Sequence, residues 1–248
     1  MGVDRLDNDD TAAAAPDAHA SHEADVPDIP DCWESRAEPR DRAACQADLR
    51  AEAEAEYRAY AIDRGCERVR ETEQTITTSA MCRIEAQAFD RHLVGLEFCL
   101  KGKERLADKV VHDMQKRGVT AEQAFANVKD AIRYTFQYTE ENYSRDVLLD
   151  CERLKAEGFK PVDSRNSWTA EQYKGINSWW RVPENRQLFE VQFHTQASFE
   201  AKQQTHAAYE RLRALPPDHE EVHELRAYQR EVSAKIPTPP GAPEISIS

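Results

Sequence analysis

Hydrophobic and polar positions alternate most sharply between Tyr173 and Thr195, where YKGINSWW and LFEVQFHT each read as a strand. In the second, Phe189, Val191 and Phe193 interleave with Glu190, Gln192 and His194, and a period of two sends the two sets to opposite sides of a sheet. One side is oily and the other carries chemistry. The pattern predicts four strands, Ala131 to Tyr138, about Phe159 to Asp163, Ile176 to Val182 and Leu188 to His194.

Helical patterns alternate with them. Leu106, Val110 and Met114 recur every four residues and end at Gly118, which predicts a helix over 104–117. Thr120 and Gln123 have capping-box spacing for a short helix holding Phe125 and Val128. Another helix is expected from near Ser144 to Gly158 with Val147, Leu148, Cys151 and Leu154 buried. After the last strand, Thr195 caps a helix over 197–212, followed by a segment around Val222, Leu225 and Val232. From Asp41 to Arg91 strong helix formers predict a charged helical annex, with Gly65 as a break and Thr75–Ala80 as a loop or brief interruption. The fold class expected is α/β (α+β), a mixed sheet flanked by helices.

Composition trims the two ends. Nine acids stand against Arg5 alone between Met1 and Asp31, so −8 of the net −13 sits there, in a segment rich in Ala and Pro without periodicity. The expected organisation is a disordered acidic tail over 1–31, a helical annex over 32–92, a domain of strands and helices over 93–236 and a loose tail, PTPPGAPEISIS, over 237–248. No apolar run is long enough to span a bilayer, so no membrane partner is expected. The acidic balance speaks against a broad nucleic-acid surface.

The six cysteines show no C-x-x-C spacing and suit either disulfides or buried thiols. Their even number leans the reading to an exported protein, with a cytoplasmic alternative. Met1 is followed by acidic residues rather than a basic and an apolar segment, so no signal peptide is read.

If the central strands adjoin, Arg133, Asn177, Glu190 and Gln192 line one cleft with Asp130 at its mouth. Two carboxylates from different segments can hold Mg²⁺ through oxygen ligands, phosphate supplying the rest. An ordinary half-exposed sheet would also carry such charges. Lys101, Arg105 and Lys109, four apart with Lys103 alongside, form a basic face that a triphosphate would neutralise, or that Glu104 and Asp108 relieve in water. Tyr173 could stack on a base, and His206 and Lys202 share a helical face, although that pair ordinarily faces water. Trp168, Trp179 and Trp180 read as core or rim.

In order along about 93–213, these residues resemble the synthetase domain of the RelA/SpoT-like alarmone synthetases, above all its small single-domain and toxin-like members. YKGINSWW, FEVQFHT and SFEAKQQTHAAYE carry the resemblance. It implies a nucleotidyltransferase-like sheet. It implies that Glu190 binds metal and activates an acceptor hydroxyl, that Tyr173 stacks on the acceptor base, and that Asp130 is the second metal ligand. It carries Lys101, Lys103, Lys109 and Arg133 to the ATP phosphates; Arg105, which stands where the family commonly has serine, and His206 join them from their own basic faces. Asn177, Gln192 and His194 would line the acceptor, with Asn177 and His194 standing where the family has histidine and arginine. The expected activity is Mg²⁺-dependent transfer of pyrophosphate from ATP to the 3′-hydroxyl of a purine nucleotide, GDP/GTP or ADP/ATP. Transfer to RNA 3′ ends, or a decayed nucleotide-binding or assembly module, are the alternatives. No segment of the HD hydrolase type is read.

Overall fold

A computed structural model describes residues 39–247, with side chains from residue 42; the acidic tail over 1–31 and Cys32 lie outside the described residues. The chain divides into a unit ending at Asp48 and one from Leu49 onward. Of the first, only the opening turns of helix α1 (Pro39–Thr72) fall within the described residues. Everything below concerns the second.

Five strands make one mixed sheet: β1 (Arg91–Val94), β2 (Arg133–Tyr138), β3 (Lys160–Asn166), β4 (Ile176–Arg181) and β5 (Leu188–Thr195). Their order is β1-β2-β5-β4-β3, and β2 and β5 are the one parallel pair among antiparallel neighbours. The helices are α2 (Thr78–Glu85), α3 (Lys103–Arg117), α4 (Ala121–Asn127), α5 (Tyr143–Ala156), α6 (Gln196–Ala214) and α7 (Glu221–Ala234). The α+β class and the four expected strands are present, and β1 is an addition. Both capping boxes form, Thr120 with Gln123 and Thr195 with Ser198, which fixes where α4 and α6 begin.

One sheet face presents Tyr134, Phe136, Ile176, Trp180, Phe189, Val191 and Phe193, all buried. Val147, Cys151 and Leu154 of α5 belong to the same core, as do Cys66 and Val69 of α1 and Met81 and Ile84 of α2. The helical annex is therefore, from its buried residues on, part of the core of the sheet domain. Tyr134 ties it down further, its hydroxyl lying 2.8 Å from both Thr77 Oγ1 and Thr78 Oγ1.

Several local expectations are corrected. Gly65 does not break α1, because its missing Cβ is the seat of Phe125, whose Cε2 would lie 2.0 Å from a methyl carbon added there. Of the two readings of Thr75–Ala80, a loop or a brief interruption, the second holds: a π-helical turn at Glu73–Thr77 interrupts the α-helix and runs straight into α2. Leu148 is 47% exposed, since the α5 stripe runs through Val147, Cys151 and Leu154 instead. The segment after Ile236 is not loose: Ala242 and Ile245 are buried, and Asn166 Nδ2 donates to the carbonyls of Ala242, Pro243 and Ile245. The Pro-rich composition that suggests disorder here is compatible with a strap whose carbonyls are satisfied by a side chain.

Candidate active site

The polar sheet face is ordered in rows by strand register. Asp163, Trp179, Glu190 and Arg133 form one row across β3, β4, β5 and β2. Arg165, Asn177, Gln192 and Thr135 form the next. Four of the residues that sequence places in one cleft, Arg133, Asn177, Glu190 and Gln192, thus share one patch two rows deep.

Glu190 is 3% exposed and both of its oxygens are engaged. Arg133 Nε donates to Oε2 at 2.7 Å and Gln192 Nε2 to Oε1 at 2.9 Å. The Arg133 guanidinium also lies 3.7 Å from Asp130 Oδ2, so the two carboxylates flank one cation. Burial works to discharge Arg133, but Glu190 and Asp130 hold its proton all the more firmly.

Asp130 is brought there by a short pairing before α3. Leu100 bridges Ile132, Arg133 N–H donates to Cys99 O at 2.7 Å, and Lys101 N–H donates to Ala131 O at 2.9 Å. Lys101 therefore precedes α3 rather than sharing its face, and its ammonium lies 3.2 Å from Asp130 Oδ2. Lys109 reaches Asp130 Oδ1 from the second turn of α3. Burial alone would raise the Asp130 carboxyl; Lys109 and Lys101 outweigh it and hold it below the usual carboxylate range.

Other residues expected at the phosphates are placed elsewhere. Lys103 pairs with Asp63 of α1. Arg105 is exposed at a shallow hollow shared with Gly102, Lys103 and Glu104, and His206 is exposed on α6. Neither joins the carboxylate cluster.

On the acceptor side, Tyr173 is fixed by its hydroxyl. It donates to Asn177 Oδ1 at 2.8 Å and meets His194 Nε2 at 2.9 Å. His194 Nδ1 in turn lies 2.8 Å from Ser198 Oγ, so both ring nitrogens are engaged within the protein. His194 is fully buried, and desolvation, then Lys202, keep its imidazole neutral well below the usual range. Gly175 permits this packing: at φ 142° it turns the chain over the imidazole, where a Cβ would lie 2.7 Å from His194 Cε1. His194 thus holds Tyr173 in place, with both ring nitrogens engaged within the protein. Asn177 likewise spends its carbonyl on Tyr173.

Lys202 is the residue that sequence reasoning discounted. Its ammonium donates to Gln192 Oε1, which also accepts from Thr135 Oγ1 at 3.4 Å. Burial, then the charge of Arg133, bring Lys202 down to about 8. The signal lay in the immediate passage from β5 into α6, which returns the second helical turn over the strand it follows.

The donor set fits a hard divalent cation: two carboxylates around one site, with no thiol or imidazole among them. Among the described residues no group of three or more acidic, His or Cys ligands gathers, so phosphate or water oxygens would complete any coordination.

No family model and no curated protein matches the chain. Solved structures similar to it include a GTP pyrophosphokinase family protein from Streptococcus pneumoniae, at 16% identity and TM-score 0.47, over 73% of this chain and 88% of that one. The type VI effector Tas1, solved in complex with its immunity protein, is 16% identical, TM-score 0.46, over 71% and 97%. Small alarmone synthetase 1 from Bacillus subtilis, bound to its product pppGpp, is 12% identical, TM-score 0.41, over 73% and 90%.

Proposed function

We propose that this protein transfers pyrophosphate from ATP to the 3′-hydroxyl of a purine nucleotide, releasing AMP. The observation that carries the reading is the Glu190 carboxylate, held between Arg133 and Gln192 one guanidinium away from Asp130 and its two lysines. A carboxylate with both oxygens oriented by fixed donors is suited to accept or orient a hydroxyl proton. Lys101, Lys109 and Arg133 supply the positive charge that a polyphosphate needs, and phosphoryl-type transfer asks the protein chiefly for positioning and charge neutralisation. Asp130 and Glu190 are the residues that would hold Mg²⁺, which when bound neutralises the donor's phosphates. The ring of Tyr173, its hydroxyl tied to Asn177 and His194, is available as a rigid platform for the acceptor base.

The test is Glu190→Gln, with AMP release followed from ATP and Mg²⁺ against GDP, GTP, ADP and ATP as acceptors. The expected loss is on the order of a hundredfold or more, with circular dichroism unchanged. Full turnover in the folded variant overturns the proposal. Asn177 and His194 stand where the resembling family has histidine and arginine, and both hold Tyr173. The acceptor panel therefore decides between guanine and adenine nucleotides, with an RNA 3′ end as a further arm. A chain that binds ATP and yields no product with any of these is a binding module.

A further inference from the structure

Lys202 is a largely buried cation of the polar face whose hydrogen-bond partner is not a carboxylate. Among the described residues the single hydrogen-bond acceptor of the Lys202 ammonium is the amide oxygen of Gln192, while Phe199 lies 5.4 Å beneath it. Placing a largely desolvated ammonium against an amide is unfavourable compared with leaving it in water or pairing it. Some other group must gain from its presence.

That group is found one bond further along. The amide of Gln192 has two ends, and both are used: Oε1 toward Lys202 and Thr135, Nε2 toward Glu190 Oε1. Reversing the amide would point its NH₂ at an ammonium, which has three donors and no acceptor. It would also set Oε1 against the Glu190 carboxylate. Glu190 by itself favours the orientation with Nε2 toward it, and the ammonium on the far side makes the reversal costlier still.

We infer that Lys202 is a positioning residue for Glu190, its ammonium locking the Gln192 amide so that Nε2 always faces the carboxylate. The inference rests on the reading that Glu190 handles the acceptor hydroxyl. With Nε2 fixed on Oε1 and Arg133 on Oε2, the carboxylate plane is set from both sides, and its remaining lone pairs are directed consistently. Lys202 is electrostatically coupled to Arg133 from β2 and to Glu190 and His194 from β5. Each is placed to register whether the lysine is charged.

The experiment uses the full chain with Lys202→Met, which keeps length and removes charge, and Lys202→Arg, which keeps charge. Steady-state transfer is measured for both and for wild type. Loss of an outer partner of this kind costs about 10- to 100-fold. The expected result is that loss in kcat for Lys202→Met, an unchanged KM for ATP and partial recovery in Lys202→Arg. An unchanged kcat in Lys202→Met overturns the inference. So does a loss confined to the KM for ATP, which marks direct contact with phosphate. If wild type transfers nothing to any acceptor, the proposed activity fails by itself. The relay is then decided by NMR of the Gln192 side-chain amide. Side-chain NH₂ protons that are protected from exchange with solvent in wild type and lose that protection in Lys202→Met sustain it, and identical behaviour in both proteins overturns it.

Discussion

Replacing Gly65 by Ala reverses the usual sign of that substitution. In an exposed helix interior, alanine is worth about 1 kcal/mol over glycine. Gly65 sits inside α1, with Phe125 of α4 against it, and an added Cβ would lie 2.0 Å from Cε2 and 2.5 Å from Cδ2 and Cζ. Carbon pairs rest at about 3.5–4.0 Å, so the ring edge must retreat by about 1.5 Å. Three ring atoms face the new carbon, so turning the ring relieves little, and Phe125 is 3% exposed with no free space to enter. Overpacking of this severity costs about 3 kcal/mol, the upper end of the usual range. Subtracting the helix gain leaves a net loss of about 2 kcal/mol. For a chain of this size that lowers the melting temperature by about 4–8 °C. Urea unfolding of Gly65→Ala, Phe125→Ala and the double variant closes a cycle in which the glycine substitution becomes neutral or stabilising once the ring is gone. A single variant as stable as wild type, or more so, refutes the notch and with it the account of how α1 docks on α4.

Two other perturbations test the charged interior. Arg91 and Asp150 form a bidentate pair with side chains fully buried, joined by Tyr138 Oη at 2.7 Å and Arg153 at 2.7 Å from Asp150; Asp150→Ala leaves a buried guanidinium without its counter-ion and is expected to cost about 3–5 kcal/mol in urea unfolding, and a loss below about 1 kcal/mol refutes the pairing. Lys202 is brought to about 8 in the fold against 10.5 for the ordinary side chain. Between those values the unfolded chain holds a proton that the folded one has released, so wild-type stability gains with rising pH. Lys202→Met is therefore expected to be more stable than wild type at pH 7, with the difference closing as pH rises through about 8 toward 10; a pH-independent difference contradicts the burial of that ammonium.

What could be read in the chain depended on whether a signal was local. Strands β4 and β5 were legible because Ile176, Trp180, Phe189, Val191 and Phe193 alternate cleanly with polar neighbours, and alternation is a property of adjacent residues. The Thr120–Gln123 capping box and the Thr195 cap were legible for the same reason, whereas the role of Ser198 in the second was not read. Strand β1 was not, because its first residue, Arg91, opens a four-residue run with a charge whose burial makes sense only beside Asp150, 59 positions away. Gly65 looked like a helix break because its partner Phe125 lies far along the chain. The tail after Ile236 looked loose because the group that gathers its carbonyls, the Asn166 amide, lies on β3. In the site, the Glu190 face and Arg133 followed from alternation, whereas the direction of His194 into Tyr173 and of Lys202 into Gln192 came from the returns of chain at Gly175 and Thr195.

The same locality governs charge. A chain of net charge −13 is a poor general partner for polyanions, yet the candidate site sets four cations, Lys101, Lys109, Arg133 and Lys202, around two carboxylates, Asp130 and Glu190. Screening over about 8–10 Å at ordinary ionic strength means that a distant polyanion meets the acidic surface, while a small anionic ligand inside the cleft meets the local surplus. Low-dielectric walls enlarge that difference, since Phe193, Ile176 and Val191 lie buried directly behind the polar rows. Asp130 and Glu190 keep Lys101, Lys109 and Arg133 ordered and mutually compensated. Under the proposed function, this arrangement would favour a compact polyphosphate over an extended nucleic-acid backbone without a basic surface.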